Sequence, residues 1–240
     1  MSKQVALVFG GSRGIGAACV QALANDGFDV ACTYVSSKPA KPAASGGGRV
    51  AFYQADIADD AQVEAVFDSV VRDFGNRPHC VVANAGVNVP PGPVHQFDTD
   101  NFRKLIEVNI VGAFNILRHA GQQVADGGAI VALTTSLVRY AAPGLGPYSA
   151  SKAAVECLVR AMAKELAGRG VRVNAVAPGP VDTDLFRAGK TDEAKQRSAA
   201  MSPFNRIGTP DEVAQMVAFL ASDKASWVHG QILQPNGGLV

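Results

Sequence analysis

Tyr148 and Lys152 are the residues whose types and spacing most directly suggest chemistry. They lie four positions apart at the start of a strongly helical run, which predicts that both side chains share one face of a helix. An ammonium close to a phenol stabilises the phenolate and lowers the pKa of the phenol, so that the phenol can give or take a proton near neutral pH. An ordinary exposed helix face shows the same spacing, and the pair therefore needs support from the rest of the chain.

A glycine-rich stretch, "VFGGSRGIGAA" (8–18), lies between an apolar run and a helical run near the start of the chain. Gly10, Gly14 and Gly16 permit a tight turn, a close backbone approach and close helix packing. The N-terminus of the helix that follows offers free N–H groups and the positive end of the helix dipole to a pyrophosphate. The stretch therefore predicts a dinucleotide site, with a merely tight strand-to-helix turn as the alternative.

The residues after the second predicted strand indicate which dinucleotide is bound. The stretch "TYVSSK" contains Ser36 and Lys38 but no carboxylate that could bind the ribose 2′-hydroxyl of NAD. Arg13, inside the glycine turn, can face a 2′-phosphate together with Ser36 or Lys38, and a guanidinium suits such a charge-assisted contact. We therefore expect NADP, and the alternative for Arg13 is a solvated surface cation.

The order of apolar runs predicts the fold class. Short β-branched runs alternate with longer amphipathic stretches, which is typical of a doubly wound α/β fold with helices on both faces of a parallel sheet. We expect a single domain over residues 1–240. Prolines and three consecutive glycines predict a loop from Ser36 to Gly48. The predicted strands are "QVALVFG", "DVACTYV", "RVAFYQAD", "HCVVANAG", "GAIVALTT", "VRVNAVAPG" and "QILQPN".

Composition excludes several classes of protein. The 240 residues are 48% apolar, which is enough for one core, and 22 basic residues balance 21 acidic ones. This balance argues against a nucleic acid or a membrane surface as partner. The chain has no long apolar span and no leader-like start, so we expect a cytoplasmic protein. We expect its four cysteines to be buried free thiols, and the histidines and cysteines show no metal-ligand spacing.

With "ANAG" and "PGPVDTD" added to the glycine turn and the Tyr148–Lys152 pair, the whole chain resembles the short-chain dehydrogenase/reductase family. The resemblance implies a Rossmann-type fold, NADP(H) as cofactor, a small carbonyl compound as substrate, and a homo-oligomer, either a dimer or a tetramer. It implies that Tyr148 is the catalytic acid/base and that Lys152 binds the nicotinamide ribose and tunes Tyr148. Asn109, in "VNIVGAFN", matches the family's asparagine that holds a water in the proton relay.

The resemblance also implies which residues line the cofactor. Asp56 and Ile57 resemble the adenine-binding pair, and the stretch 178–181 lies beside the nicotinamide with Thr183 near its amide. The chain departs from the family at Phe9 and Ala83, where polar residues are usual, and we expect an apolar contact between them. The implied cofactor-binding residues are Gly10, Ser12, Arg13, Gly14, Ile15, Gly16, Ser36, Asp56, Ile57, Asn84, Ala85, Gly86, Tyr148, Lys152, Pro178, Gly179, Val181 and Thr183.

The catalytic hydroxyl has two candidates. The family usually has a serine thirteen residues before the tyrosine, which is Thr135 here, whereas Ser136 is twelve residues before it. We favour Ser136, because a one-residue shortening of the following loop would leave it in place to hydrogen-bond the substrate carbonyl. Thr135 stays open as the alternative.

We expect an NADP(H)-dependent reductase of aldehydes or ketones. The first alternative is a 3-oxoacyl-[acyl-carrier-protein] reductase. Such enzymes tend to have basic residues just before the fifth strand, where this chain has Asp126, although Arg169 and Arg172 are expected to restore positive charge nearby. The second alternative is a dinucleotide-binding regulator without turnover.

The segment 182–210 is interpreted as a lid over the substrate. It mixes charged residues with Phe186, Met201 and Phe204, and Gly189 is a candidate hinge. The alternative is a pair of surface helices whose apolar residues belong to the core.

Overall fold

Seven strands form one parallel sheet at the centre of the molecule, in the order β3-β2-β1-β4-β5-β6-β7. The computed structural model describes residues 3–36, 38–39 and 48–240. All seven predicted strands and the doubly wound α/β architecture are confirmed. The strands are β1 (Val5–Phe9), β2 (Asp29–Tyr34), β3 (Val50–Gln54), β4 (Cys80–Ala83), β5 (Ala129–Leu133), β6 (Arg172–Val176) and β7 (Ile232–Leu233).

Helices cover both faces of the sheet. One apolar cluster joins the sheet to α2, α4 and α5, and a second joins its other face to α1 and α8. Because the central strands are buried on both faces, they appear in the sequence as continuous apolar runs. The helices are α1 (Gly14–Asn25), α2 (Asp60–Phe74), α3 (Thr99–Leu105), α4 (Ala113–Gln123), α5 (Gly146–Leu166), α6 (Asp184–Arg187), α7 (Asp192–Ala200) and α8 (Pro210–Ala221).

The helix ends follow local capping rules. Asp59 caps α2 by accepting a hydrogen bond from the N–H of Gln62, and α2 ends at Gly75 with φ +75°. Thr209 and Glu212 form a reciprocal capping box at the start of α8. These caps fix where α2 and α8 begin beside the carboxyl edge of the sheet.

The helix from α3 to α4 is continuous and widens to π-helical geometry over Ile106–Gly112. Such widenings inside an α-helix are frequent at functional sites. This one carries Asn109, whose side chain is fully buried. The side-chain amide of Asn109 therefore lies between the helix and the elements packed against it.

The fold tests the predictions for the Phe9–Ala83 contact and for the cysteines. Phe9 and Ala83 are directly paired in β1 and β4 and belong to the same apolar cluster, which confirms the predicted contact. Cys157 corrects the expectation for the cysteines: it is exposed on the outer face of α5, with its Sγ 3.2 Å from a guanidinium nitrogen of Arg160. The other three cysteines are buried. The predicted loop from Ser36 to Gly48 falls largely outside the described residues.

Among the residues that the structure describes, none of the helices combines the length and the apolar character needed to cross a bilayer.

Candidate active site

The glycine turn is closely packed where β1 meets α1. Gly10 has φ +76°, and a Cβ on it would lie 2.8 Å from the Cα of Ala85. A Cβ on Gly16 would lie 2.1 Å from the main-chain oxygen of Gly10, so no side chain fits there. Asn84 Nδ2 donates to that same oxygen at 2.9 Å, and the N–H of Gly10 donates to Thr33 Oγ1 at 3.0 Å. The turn is therefore held from both neighbouring strands.

The first turn of α1 is open to a ligand. In the described part of the chain, no side chain caps this helix, although Arg13 occupies the N-cap position. A Cβ on Gly14 would lie 3.3 Å from Thr183 Cγ2, so Thr183 lies across from the turn. Free N–H groups and the helix dipole at this end suit a pyrophosphate, and the glycines leave room for one. The residues present thus fit a dinucleotide.

The end of β2 lies next to the glycine turn at the same edge of the sheet. The register pairs Val8 with Cys32, so the residues after both strands emerge side by side. Arg13, Ser36 and Lys38 are exposed, and Lys38 Nζ lies 5.9 Å from the centroid of the Phe52 ring. Among the described residues, none of these three side chains pairs with a carboxylate.

The segment after β3 forms a fixed turn. Asp56 Oδ1 accepts a hydrogen bond from the N–H of Ala58 at 3.0 Å, and the N–H of Asp56 donates to Gln62 Oε1 at 3.0 Å. Ile57 is buried against the helix that begins at Ala113. The carboxylate of Asp56 stays exposed to solvent at the carboxyl edge.

Lys152 and Asn109 meet beside Gly86. A Cβ on Gly86 would lie 3.2 Å from Lys152 Nζ and 3.0 Å from Asn109 Oδ1. Lys152 is buried and donates to the main-chain oxygen of Leu133 at 3.1 Å. The glycine that ends "ANAG" therefore leaves the space that these two polar side chains need.

A chain of hydrogen bonds connects this point with Tyr148. Asn109 Oδ1 accepts from the N–H of Val87 at 2.8 Å, and Asn109 Nδ2 donates to Val87 O at 2.9 Å and to Ser151 Oγ at 3.1 Å. Ser151 Oγ in turn donates to the main-chain oxygen of Tyr148 at 2.7 Å. The π-helical segment, the loop after β4 and the first turn of α5 are thus linked.

Burial governs the two titratable groups of the pair. It raises the pKa of the Tyr148 phenol to about 12 and lowers the pKa of the Lys152 ammonium to about 8, because both charged forms lose contact with water. The expectation that the pKa of Tyr148 is lowered is therefore wrong, because desolvation dominates and raises it. At neutral pH Tyr148 is protonated, which is the form that a proton donor requires.

Ser136 and Thr135 differ in how their hydroxyls are engaged. Ser136 is buried, and its Oγ donates to the main-chain oxygen of Ala177 at 2.7 Å. Thr135 Oγ1 caps the short helical turn that follows by accepting from the N–H of Leu137 at 3.3 Å. The hydroxyl proton of Ser136 is thus committed, whereas Thr135 acts as an acceptor and its proton stays available.

The stretch after β6 completes the edge. The N–H of Ser136 donates to Pro178 O at 2.9 Å, and a Cβ on Gly179 would lie 2.9 Å from the Cα of Asn236. Val181 is buried, and Thr183 caps α6 by accepting from the N–H of Phe186. The residues predicted for the cofactor thus follow six of the parallel strands, β1 to β6, and meet at their carboxyl edge, where ligands bind in doubly wound folds.

The segment 182–210 leaves the sheet and returns to the same point. The N–H of Gly208 donates to Pro180 O, and the N–H of Asp182 donates to Gly208 O, both at 2.9 Å. Every residue of α6 and α7 is at least partly exposed. Met201 and Phe204 are 37% and 72% exposed, so the alternative that these side chains belong to the core is wrong.

A cavity of about 150 Å³ lies under the end of this segment. Its lining includes Met201, Phe204 and Val181, together with Pro235, Asn236, Gly237 and Leu239 near the chain end. Gly189 has φ +69°, a conformation that suits glycine and allows the chain to turn between α6 and α7.

Sequence reasoning missed several residues that hold the site together. Ser151, Thr33 and Asn115 all place site elements through their side chains. Ser151 had a signal, because it lies three residues after Tyr148 and so shares its helix face. Thr33 and Asn115 had none, since their partners lie far away in sequence.

Known proteins match this chain over nearly its whole length. A family model described as enoyl-(acyl carrier protein) reductase matches residues 10–240. A short-chain type dehydrogenase/reductase from Picea abies is 39% identical over 99% of this chain and 92% of that protein. An NADPH-dependent aldehyde reductase-like protein, chloroplastic, from Arabidopsis thaliana is 38% identical over 100% of this chain and 95% of that protein.

Two further comparisons concern an alternative activity and the fold. A 3-oxoacyl-[acyl-carrier-protein] reductase from Staphylococcus aureus is 37% identical over 98% of this chain and 97% of that protein. The crystal structure of a blue fluorescent protein from a metagenomic library, in complex with NADPH, has a TM-score of 0.88 and 34% identity, covering 99% of this chain and 98% of that one. Sequence and structure agree that the chain belongs to the short-chain dehydrogenase/reductase family of oxidoreductases.

Proposed function

We propose that the protein is an NADP(H)-dependent reductase that converts an aldehyde or ketone to an alcohol. The observation that carries this proposal is the meeting of Lys152 and Asn109 beside Gly86, with Tyr148 one helical turn before Lys152. This arrangement lies at the carboxyl edge of the sheet, next to the open N-terminus of α1.

When bound, the cofactor supplies the hydride that reaches the carbonyl carbon. Tyr148 is protonated at neutral pH and donates its phenolic proton to the carbonyl oxygen. Lys152 holds the nicotinamide ribose and, while protonated, favours the phenolate that the transfer leaves behind. Both amide atoms of Asn109 already bind Val87 and Ser151, so Asn109 holds the cleft wall beside Lys152, and its role in holding a relay water stays a prediction.

The hydroxyl that stabilises the substrate oxygen is Thr135 or Ser136. The hydrogen-bond pattern favours Thr135, because its proton is available to a carbonyl oxygen while that of Ser136 is donated to Ala177. This differs from the preference for Ser136 that loop length suggests.

NADP is the proposed cofactor. Support comes from the exposed Arg13 in the glycine turn and from the exposed Ser36 and Lys38 after β2, where the sequence stretch 33–38 contains no carboxylate for a ribose 2′-hydroxyl. The aldehyde reductase-like relative is NADPH-dependent by its name, and the structural neighbour binds NADPH. The adenine is proposed to contact Asp56 and Ile57.

An acyl-carrier-protein substrate has less support. The expectation that Arg169 and Arg172 supply positive charge for a carrier is wrong. Arg169 pairs with Asp126 at 2.7 Å and also donates to main-chain oxygens at the end of α4. Arg172 is buried and donates to Leu220 O at the end of α8 and to Ala225 O in the turn after it. Both guanidinium groups cap helices, and the Staphylococcus aureus relative is no closer than the aldehyde reductase-like one.

We further propose that residues 1–240 work as one catalytic domain with 182–210 as the substrate lid. Three observations support the lid. Main-chain hydrogen bonds at Gly208 hold the two ends of the segment together, α6 and α7 are exposed, and Met201 lines a cavity. A homo-oligomer is proposed from the family resemblance, and Trp227, which is 97% exposed, is a candidate for the buried contact that an oligomer would form.

Oxidation of NADPH in the presence of a panel of carbonyl compounds tests the proposed function. The panel includes short aldehydes, aromatic ketones and a 3-oxoacyl thioester with and without the carrier protein. Turnover of free carbonyl compounds supports the proposal, and turnover of the carrier-bound thioester alone supports the carrier-protein alternative. Tight binding of NADPH with no turnover of any compound would identify a regulator instead.

A further inference from the structure

One face of the helix that runs from α3 to α4 supports the segment Ile57–Asp60. Gly112, Asn115 and His119 are spaced by three and four residues, so they share this face. A Cβ on Gly112 would lie 2.6 Å from Ile57 Cγ1, which means that Ile57 lies directly against the helix.

The next residues on that face make polar contacts in the same order. Asn115 is 5% exposed, and its Nδ2 donates to Ile57 O at 3.0 Å and to Ala58 O at 3.4 Å. His119 Nε2 lies 3.0 Å from Asp60 Oδ1, and the neighbouring Arg118 contacts the other carboxylate oxygen of Asp60. The helix thus contacts the segment at three successive levels.

Contacts within the segment do not replace this support. The side chains of Asp56 and Gln62 accept hydrogen bonds from N–H groups of the turn and leave its carbonyl groups without a partner among these two side chains. The carbonyl oxygens of Ile57 and Ala58 face the helix, where both accept hydrogen bonds from Asn115 Nδ2. A buried carbonyl without a donor is costly, so Asn115 determines the orientation of these peptide groups.

We propose that Asn115 is a positioning residue that holds Ile57 and Ala58 in the shape that receives the adenine ring. This inference rests on the proposed function, in which Asp56 and Ile57 contact the adenine. Asn115 acts through Ile57 and does not touch the reacting atoms. The same continuous helix carries Asn109, whose amide binds Val87, so one helix contacts both the segment after β3 and the loop after β4.

The test compares Asn115→Leu with Asn174→Leu. Asn174 is a matched control because it is 1% exposed and makes bonds of the same kind, donating to Val228 O at 2.8 Å and accepting from the N–H of Gln231 at 2.9 Å. The probes are NADPH, adenosine 2′,5′-bisphosphate as the adenosine half, and reduced nicotinamide mononucleotide as the other half.

We expect Asn115→Leu to weaken the binding of NADPH and of adenosine 2′,5′-bisphosphate about five-fold each, which corresponds to about 1 kcal/mol of binding free energy. The kcat at saturating NADPH and the affinity for reduced nicotinamide mononucleotide stay unchanged, and Asn174→Leu leaves all three affinities unchanged. Asp60→Asn is a second variant for the case that Asn115→Leu does not fold, because Asp60 is partly exposed and its substitution should leave the fold intact. We expect it to weaken the binding of adenosine 2′,5′-bisphosphate about two-fold.

Two outcomes overturn the inference, and they are distinguishable. If the unmutated protein binds and oxidises NADPH while Asn115→Leu and Asp60→Asn bind adenosine 2′,5′-bisphosphate normally, the inference alone is wrong. If the unmutated protein binds neither NADPH nor adenosine 2′,5′-bisphosphate, the proposed function is wrong and the inference fails with it.

Discussion

The ammonium of Lys152 donates a hydrogen bond to the main-chain oxygen of Leu133 at 3.1 Å, where β5 ends. This bond holds Nζ at the carboxyl edge of the sheet beside Gly86. Burial keeps the ammonium away from bulk water, and this desolvation lowers its pKa to about 8. The charge of Lys152 is therefore sensitive to pH in a range that an assay can reach.

The first prediction concerns this pH dependence. We expect kcat/KM for carbonyl reduction to be constant well below pH 8 and to reach half its maximum near pH 8, because Lys152 loses its proton there. Tyr148, with a pKa of about 12, stays protonated over the same range. A pH–rate profile from 6 to 10 checks this. Lys152→Arg keeps its charge at high pH, so any activity it retains should not fall near pH 8, and a fall at the same pH would contradict the assignment.

Tyr148→Phe removes the proposed proton donor while keeping the ring. We expect turnover to drop by about 10² or more, the usual contribution of a positioned general acid. NADPH affinity should barely change, because the hydroxyl serves the substrate oxygen. Stopped-flow turnover and fluorescence titration with NADPH measure the two effects, and retention of most of the turnover would refute the role of Tyr148.

Thr135→Val and Ser136→Ala separate the two candidate hydroxyls. We expect Thr135→Val to lower kcat by about 10²–10³, the range for losing one donor to a developing oxyanion. Ser136→Ala leaves Ala177 O without its donor, so we expect it to lower the free energy of unfolding by about 1–3 kcal/mol with a smaller loss of turnover. Kinetics and urea unfolding of both variants decide the matter, and a larger kinetic loss in Ser136→Ala would reverse the assignment.

Arg13→Ala tests the preference for NADP. We expect NADPH to bind more tightly than NADH to the unmutated protein, and the substitution to narrow that difference by roughly 1–3 kcal/mol, the value of a charge-assisted hydrogen bond. Arg103→Ala, which removes an exposed arginine on α3, serves as the control and should leave the difference intact. Calorimetric titration with both cofactors measures it. Equal affinities in the unmutated protein would refute the NADP assignment.

Phe186→Ala and Met201→Ala test the lid. Because these side chains lie outside the two apolar clusters, we expect the ranking of substrates by kcat/KM to change while NADPH affinity and Tm stay nearly constant. Phe219→Ala on α8 is a matched control, since Phe219 is 37% exposed, as Met201 is. The same substrate panel measures all three variants. A lower Tm with an unchanged ranking would mean that these side chains only stabilise the fold.

Features that depend on neighbouring residues can be predicted from the amino-acid sequence. The alternation of apolar runs predicted seven strands and their parallel arrangement, because a strand buried on both faces must be apolar throughout. The glycine spacing predicted the turn at Gly10 and Gly16, since a Cβ would collide there. Tyr148 and Lys152 were predicted to share a face because the helical repeat depends only on neighbouring residues.

The fold class, the glycine turn and the shared helix face of Tyr148 and Lys152 thus follow from the order of residues along the chain. The contact of Asn109 with Val87, the support of Ile57 by Asn115, and the capping of helices by Arg169 and Arg172 are evident only in the folded protein. The folded protein also shows that burial, and not the neighbouring ammonium, dominates the pKa of Tyr148. Hydrogen-bond partners and solvent exposure depend on segments that lie far apart along the chain, and no local pattern of residues records which of them come together.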